Sequence, residues 1–449
     1  MTRTTSGTLA VAIALGLAPW VARPAAAQTK KDLPMPQDHP VLRHTDPESH
    51  TLTIQVQVLT AIVPQGYSSR GTRSLEIQRW DVDSMSVILP VITTTGNAIG
   101  SPDSVTGEMW IDSRSVDTTP TLIGPYQGQS MYARYEAVNW RLDGFRVRQQ
   151  ETIVCCETIY DEQAAMQLTW PDAWPPEADS TFQPEQLISE VRSDFNNDGP
   201  VNDLVRKWTN GQDPKSIPPA QLAKYLTAKV WEHVRVTRPP LSNRPSDDGT
   251  VYPINLLAAG GKQNSTGYSR AVIAQTVGYV VQHADETATT GEGSDNDAAV
   301  LLTAVFRAAG LPARLVIGYR EKSEHIRRLS DSDKNHTWVE FALYDPDANE
   351  GKGQLIWVPV DIIALKGSSS RARPLDQPWK YFGTHDDLDE LVPVATHFHP
   401  PTTVRSYAVP ALYGWTTSPE PPDTASQSID LNLSGTVIRG DDDKHTPAP

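Results

Sequence analysis

The sequence predicts two folded parts, an all-β, sandwich-like domain followed by an α+β domain. In the first part, Thr51–Val58 alternates strictly between apolar and polar residues, as expected of a strand with one buried face. In the second part, Gly291–Gly310 has the end residues and the apolar content of a buried helix, and three strand-like segments follow it. A buried helix followed by an antiparallel sheet is typical of an α+β fold.

The first 27 residues have the pattern of a secretory signal peptide. Arg3 supplies a positive charge, Leu9–Val21 is apolar, and Ala25–Ala27 offers small residues before a cleavage site. We therefore expect cleavage after Ala27 and a secreted or periplasmic protein. The apolar segment is too short for a comfortable membrane span and no later segment reaches that length, so a membrane-spanning protein is not expected. Residues 28–47, rich in proline and charge, are predicted to form a flexible leader.

Residues 48–170 are predicted to form the β-sandwich-like domain. The predicted strands are residues 51–58, 86–92, 107–111, 131–137 and 151–154. Short strands separated by turn residues are typical of such a domain. Cys155 and Cys156 follow the last strand directly, and a disulfide between neighbouring residues would close a strained ring. We interpret them as strand residues on opposite faces, with a vicinal disulfide or a metal site as the alternatives.

Prolines mark residues 171–184 as a linker between the two domains. They disfavour both helix and central strand, and Trp170 and Trp174 are expected to pin this linker to a protein surface. The α+β domain is assigned to residues 185–400. Helical spacing of apolar residues predicts helices at 184–191, 201–208, 219–231 and 267–278. A C-terminal extension covers 401–449 and is predicted to be disordered from about residue 417, where proline, serine, threonine and aspartate dominate.

Four spaced motifs lie in the second domain. They are Arg307-Ala-Ala-Gly-Leu-Pro-Ala-Arg314, Gly318-Tyr319, His336-Thr-Trp-Val-Glu340 and Trp357-Val-Pro-Val-Asp361. Together they resemble the transglutaminase-like domains of the papain-like superfamily, over roughly residues 265–365. The resemblance implies a papain-like fold with a Cys-His-Asp triad that acts on amides. It implies that His336 and Asp361 are the histidine and the acid of the triad, and that Trp338 and Tyr319 are candidates for the cleft.

The nucleophile position departs from the family pattern. Counting back from Arg307, the family cysteine falls on Asp295, and the only cysteines of the chain are Cys155 and Cys156. A carboxylate at the start of a helix is stabilised in its charged form, which suits a helix cap better than a nucleophile. The resemblance therefore favours a pseudoenzyme.

Two other arrangements would keep a working site. Ser294 could complete a triad with His336 and Asp361, although a shift of one residue at a helix start turns a side chain by about 100°. Asp295, Asp297, His336 and Asp361 could also supply oxygen and imidazole ligands to a metal, but their spacing is not diagnostic. The histidines at 397 and 399 could form a metal-binding pair on an extended segment, but we interpret them as part of a loop. No metal and no cofactor are predicted.

The charge of the chain limits its partners. A formal net charge of -15 argues against binding the phosphate backbone of nucleic acids. We expect an exported, catalytically impaired transglutaminase-like protein with a retained cleft for peptide or cell-envelope amide ligands. One alternative is an active amide hydrolase or acyl transferase that uses Ser294, Asp295 or a metal. The other is a structural envelope protein that acts through its β domain.

Overall fold

A computed structural model describes most of the chain. The described residues are 35–59, 62–67, 73–77, 79–126, 130–179, 181, 199–236, 284–320, 335–369, 371–396, 414–419 and 426–437. The signal peptide, the helices predicted at 184–191 and 267–278, and the histidines at 397 and 399 lie outside this range. Among the described residues, no helix is long and apolar enough to cross a membrane.

The region before residue 161 consists mainly of strands, as the sequence predicts. They are β1 (Leu42–Leu59), β2 (Ile62–Tyr67), β3 (Arg73–Ile77), β4 (Trp80–Val91), β5 (Ala98–Gly100), β6 (Thr106–Ile111), β7 (Arg114–Val116), β8 (Thr121–Tyr126), β9 (Ser130–Leu142) and β10 (Gly144–Tyr160).

Helices and strands alternate in the rest of the chain. The helices are α1 (Glu162–Ala165), α2 (Pro176–Asp179), α3 (Pro200–Trp208), α4 (Pro219–His233), α5 (Ala284–Thr290), α6 (Asp295–Ala308), α7 (Ala348–Gly351) and α8 (Ile362–Ser368). The strands are β11 (Arg235–Val236), β12 (Glu292–Gly293), β13 (Ala313–Arg320), β14 (Asn335–Asp345), β15 (Gln354–Val360), β16 (Leu391–Ala395), β17 (Gly414–Ser418) and β18 (Ser426–Val437).

Two antiparallel sheets build the strand-rich region. One has the order β18-β1-β10-β6-β7, with β5 also paired to β10, and the other has the order β17-β4-β9-β8. The alternation in β1 buries Leu52, Ile54, Val56 and Val58, as predicted. The sheets contact each other where the rings of Phe145 and Trp415 meet edge to face, with centroids 5.4 Å apart.

Both ends of this region differ from the sequence expectation. The leader was expected to be flexible to residue 47, but β1 begins at Leu42 and pairs with β10, with a bulge between Thr45 and Glu48. Disorder was expected from about residue 417, but β17 and β18 occupy 414–418 and 426–437. β18 pairs with β1 over twelve residue pairs, from Glu48↔Val437 to Leu59↔Ser426. The physical reason is the alternation of Leu431 and Leu433 with polar residues, which places Leu433 in the core.

The adjacent cysteines lie in β10. No disulfide joins the two residues, and both are fully buried. Burial also raises the pKa of the Cys155 thiol, which keeps it protonated.

The second part has the predicted arrangement of a buried helix against an antiparallel sheet. The sheet has the order β15-β14-β13-β16, and α6 packs on it, with Phe306 and Phe341 ring centroids 5.5 Å apart. Apolar residues surround α6 on most of its surface, since α3, α4, α5 and α8 also pack against it. This packing fixes the position of the first turn of α6 relative to the strands.

The two linker tryptophans contact this second part, as predicted. The indole N–H of Trp170 donates to the Ile217 carbonyl at 2.7 Å, and that of Trp174 donates to the Gly310 carbonyl at 3.2 Å. Their rings meet edge to face with centroids 6.2 Å apart. The linker is therefore held against the loops that flank α4 and α6.

Candidate functional site

The first turn of α6 is fixed by a reciprocal pair of hydrogen bonds. Ser294 is the N-cap, and its hydroxyl accepts the Asp297 backbone N–H at 3.2 Å. The Asp297 carboxylate in turn accepts the Ser294 backbone N–H at 2.6 Å. Gly293 leaves the space for this arrangement, because a Cβ there would lie 2.8 Å from the Asp297 Cβ. This capping box uses both side chains to begin the helix.

Asp295 is the first residue of the helix, directly after the N-cap. Its side chain is accessible to solvent, and it is placed where the positive end of the helix dipole stabilises an anion. Removal of part of the surrounding solvent raises the pKa of Asp295 above its usual value, and this effect prevails although the charges of Lys366 and His336 lower the pKa. The charge of Asp361 raises it further. Asp295 therefore lies within electrostatic reach of the predicted histidine and acid.

His336 and Asp361 form a direct hydrogen bond. The imidazole Nε2 of His336, on β14, lies 2.5 Å from Asp361 Oδ2, at the end of β15. The second carboxylate oxygen of Asp361 accepts the Ala364 backbone N–H at 2.8 Å, which makes Asp361 the N-cap of α8. Because one carboxylate both caps a helix and binds the ring, the imidazole is held in a fixed orientation.

The charges of this pair reinforce each other. Burial opposes the charged form of His336, but the adjacent Asp361 carboxylate prevails and raises the pKa of His336 above its usual value. Burial likewise opposes ionisation of Asp361, yet the pKa of this carboxyl is lowered by His336 and by the Ala364 N–H. An ionised carboxylate only accepts hydrogen bonds, so Nε2 carries the proton and Nδ1 is left to face the site. Within the described part of the chain, Nδ1 has no hydrogen-bond partner.

Lys366, on α8, brings a second cation to the site. Its ammonium donates to the carbonyls of Trp231 at 2.8 Å and Val234 at 2.6 Å. Partial burial lowers the pKa of Lys366, and the charge of Asp295 opposes that shift. Lys366 was not among the residues that the sequence motifs indicate.

His385 lies behind the acid of the pair and is fully buried. Its Nε2 donates to the Pro359 carbonyl at 3.2 Å, and burial lowers its pKa although the Asp361 charge opposes this. Backbone hydrogen bonds in both directions join His385 to Thr158 of β10, at 2.9 and 3.0 Å. The segment that backs Asp361 is thus attached to the strand-rich region. Sequence reasoning missed this residue too.

Two other motif residues form a buried ion pair next to the site. Arg314 on β13 and Glu340 on β14 are direct sheet neighbours, with Nη2 and Oε2 2.7 Å apart. The other Glu340 oxygen accepts the Gly96 backbone N–H at 2.7 Å, and the Arg314 guanidinium lies 4.1 Å from the ring centroid of Trp357. A Cβ at Gly96 would lie 2.5 Å from the Trp357 carbonyl oxygen, so only glycine lets the backbone at position 96 pass this close to β15. This pair holds the scaffold together.

The two aromatic residues expected in the cleft are buried instead. Trp338 packs in a small cluster with Val316, Leu388 and Leu391, and its indole N–H donates to Glu340 at 3.3 Å. Tyr319 donates its hydroxyl to the Leu431 carbonyl at 3.0 Å. The motif placed Trp338 two residues after His336, on the same face of β14, but the loop that contains Leu388 covers it. Neither side chain lines an open surface in the structure.

The metal arrangement suggested by sequence is not assembled among the described residues. They contain no group of three or more histidine, cysteine or acidic side chains with the geometry to hold a metal ion. Asp297, one of the four candidates, has its carboxylate turned to the Ser294 N–H.

Comparison with known proteins agrees with the motif assignment. Residues 262–362 match the model of the transglutaminase-like superfamily, which confirms the resemblance for that part of the chain. No curated protein matches the sequence.

Two solved structures are also found to be similar to this chain. One, described as a “Putative Cysteine Protease” from Cytophaga hutchinsonii, is 13% identical with a TM-score of 0.45, covering 89% of this chain and 94% of that one. The other, described as a “putative protease” from Parabacteroides distasonis, is 9% identical with a TM-score of 0.21, covering 71% of this chain and 63% of that one.

Proposed function

We propose that the protein is a transglutaminase-like pseudoenzyme whose site at His336 binds a peptide or an amide without cleaving it. The observation that supports this proposal is Asp295 at the first position of α6, where the spacing from Arg307 puts the family's nucleophilic cysteine. Asp295 lies within electrostatic reach of the hydrogen-bonded pair of His336 and Asp361. A carboxylate is a much weaker nucleophile toward an amide than a thiolate, so an aspartate at this position does not replace the cysteine.

Ser294 is badly placed to take over the reaction. Its hydroxyl is engaged with the Asp297 N–H as part of the capping box, and it precedes the helix rather than occupying its first turn. Activation of a serine requires a base within hydrogen-bond reach, and the structure has no hydrogen bond between Ser294 and His336. Its role as the N-cap of α6 is sufficient to explain a serine at position 294.

The retained pair supports binding. His336 Nδ1 and the Asp295 carboxylate are polar groups without a hydrogen bond to other described residues, and they can accept from or donate to an amide. The predicted signal peptide would place the site outside the cytoplasm, where peptides and cell-envelope amides are the available ligands of this chemistry.

The hydrogen bond between His336 and Asp361 also favours a second candidate function, an active amide hydrolase or acyl transferase. A paired assay on the protein without its signal peptide separates the two. Wild type, Asp295→Cys and Asp295→Cys/His336→Ala are tested for dansylcadaverine incorporation into dimethylcasein and for hydrolysis of benzyloxycarbonyl-Gln-Gly. We expect turnover only from Asp295→Cys, because cysteine restores the nucleophile and His336 must activate it.

Activity of the wild type that is lost in His336→Ala would overturn the pseudoenzyme proposal. Calorimetric titration with benzyloxycarbonyl-Gln-Gly tests the binding half. We expect weaker binding by His336→Ala and unchanged binding by Lys229→Gln, a variant of a surface lysine that pairs with Glu232 on α4. Equal binding by both variants would mean that the ligand site lies elsewhere, for example in the strand-rich region.

A further inference from the structure

Lys366 is held in place by the end of a neighbouring helix. Its ammonium donates to the carbonyls of Trp231 and Val234 at 2.8 and 2.6 Å, where α4 ends. A cation at a helix C-terminus satisfies carbonyls that have no partner within the helix. The lysine therefore has little freedom to turn away from this position.

The end of α4 is joined to the segment that leads into α6. The Arg235 N–H donates to the Gly291 carbonyl at 2.8 Å, and Arg235 pairs with Glu292 in a short parallel bridge. Val234 thus lies next to the residues that immediately precede Asp295. α8 also packs against α6. The carbonyls that hold the Lys366 ammonium are therefore neighbours of the segment that leads into α6.

The hydrogen-bond capacity of Lys366 is only partly used. An ammonium has three N–H donors. Two of them bind the carbonyls of Trp231 and Val234, and the third makes no hydrogen bond to another described residue. Asp295 is the acidic group whose charge acts on this lysine. The nearby Asp297 carboxylate is turned to the Ser294 N–H instead.

We propose that Lys366 is a positioning residue of the site and that, together with His336, it forms a cation cradle that holds a negative charge at position 295. The cradle is defined by these two side chains, which lie on α8 and on β14 and whose charges both act on Asp295. The inference goes beyond the proposed function, because it does not depend on which ligand the site binds or on whether the wild type has any turnover.

The positive charges of the cradle affect the charge state of the side chain at position 295. Lys366 and a protonated His336 supply two positive charges against the negative charges of Asp295 and Asp361. The two cations lower the pKa of Asp295, although burial still keeps it above its usual value. A cysteine in the same place would be stabilised as a thiolate by both cations and by the start of the helix. The reactivity of such a cysteine therefore measures the cradle directly.

The test is the pH profile of iodoacetamide alkylation of Asp295→Cys, followed by mass spectrometry. Cys155 and Cys156 are fully buried, and the wild type provides the blank for them. Adding Lys366→Gln keeps a hydrogen-bond donor for the two carbonyls but removes the charge. We expect alkylation at pH 6 to fall about tenfold, with the profile displaced to higher pH, because an adjacent cation lowers a thiol pKa.

Two further variants separate charge from structure. Lys366→Arg keeps the charge, so the rate at pH 6 should stay within about threefold of Asp295→Cys alone. Lys229→Gln removes a surface cation of α4 and should leave the profile unchanged. Thermal unfolding of each variant confirms that the compared proteins are folded.

An unchanged profile in folded Asp295→Cys/Lys366→Gln would overturn the proposal, as would a Lys366→Arg variant that behaves like Lys366→Gln. Neither result bears on the pseudoenzyme, whose own test is turnover and ligand binding. Conversely, wild-type turnover would remove the pseudoenzyme and leave the cradle in place.

Discussion

Two acid–base pairs lie on the same sheet and have different surroundings. Arg314 and Glu340 are both buried, and Glu340 also accepts from Gly96 of the strand-rich region. His336 is partly exposed, with 25% of its side chain accessible, and only one of its ring nitrogens is bonded to Asp361. The first pair has its hydrogen-bonding capacity directed inward and supports the scaffold. The second pair leaves Nδ1 of His336 available for a ligand. Within the motif from His336 to Glu340, one residue therefore serves the site and another serves the scaffold.

The largest expected effect comes from breaking the buried pair. Glu340→Ala leaves the Arg314 guanidinium buried without its carboxylate, which should lower the free energy of unfolding by about 3–5 kcal/mol. Urea denaturation followed by tryptophan fluorescence measures this. The double variant Glu340→Ala/Arg314→Met should lose less than Glu340→Ala alone, because no charge remains buried. A loss under 1 kcal/mol in the single variant would contradict a structural role.

A smaller effect is expected at the pair of His336 and Asp361, and it depends on pH. The raised pKa of His336 stabilises the fold below the unfolded value of about 6.5, and this contribution is lost as pH rises through the folded pKa. The lowered pKa of Asp361 stabilises it above about 3.9, and this is lost as pH falls through the folded pKa. The contribution of the pair is therefore largest between about pH 4 and pH 6.5.

Asp361→Asn should reveal this window. It removes the charge but retains an oxygen for the Ala364 N–H, so we expect a loss of about 2 kcal/mol at pH 5.5 and a smaller loss at pH 9. The imidazole pKa of His336, followed by NMR, should fall in the variant because burial then acts without a counter-charge. A loss that does not change between the two pH values would mean that Asp361 acts only as a helix cap.

The smallest effect is expected at the capping box. Ser294→Ala removes the acceptor for the Asp297 N–H and should cost about 1 kcal/mol of stability. The same change introduced into Asp295→Cys should leave turnover of the folded protein nearly unchanged, measured by dansylcadaverine incorporation. Abolished turnover with unchanged stability would assign Ser294 to the reaction rather than to the helix.

Most of the helices and strands in the second part could be predicted, because each depends on a pattern within a short segment of the sequence. The caps of α6 and the apolar runs of β13, β14 and β15 are each visible within a short segment. The pairing of His336 with Asp361 could be predicted only through the family resemblance, because spacing alone does not show that two strands are neighbours. The burial of Trp338 was not predictable, since it depends on a loop fifty residues away.

Lys366 and His385 had no local signal at all. Lys366 owes its position to the end of α4, and His385 owes its position to a backbone bridge with β10, so both depend on tertiary contacts. The strand β18 did have a signal, the alternation of Leu431 and Leu433 with polar residues. The surrounding proline, serine and aspartate concealed it, because composition averages over a longer segment than one strand.

The pairing of β18 with β1 has a consequence for how the protein is made. The two strands are far apart in the sequence, so one edge of β1 stays open until residues 426–437 are available to pair with it. An unpaired edge is a site for misassociation with other chains, and contacts between distant residues form slowly. Covering this edge until β18 pairs with it would therefore limit such misassociation.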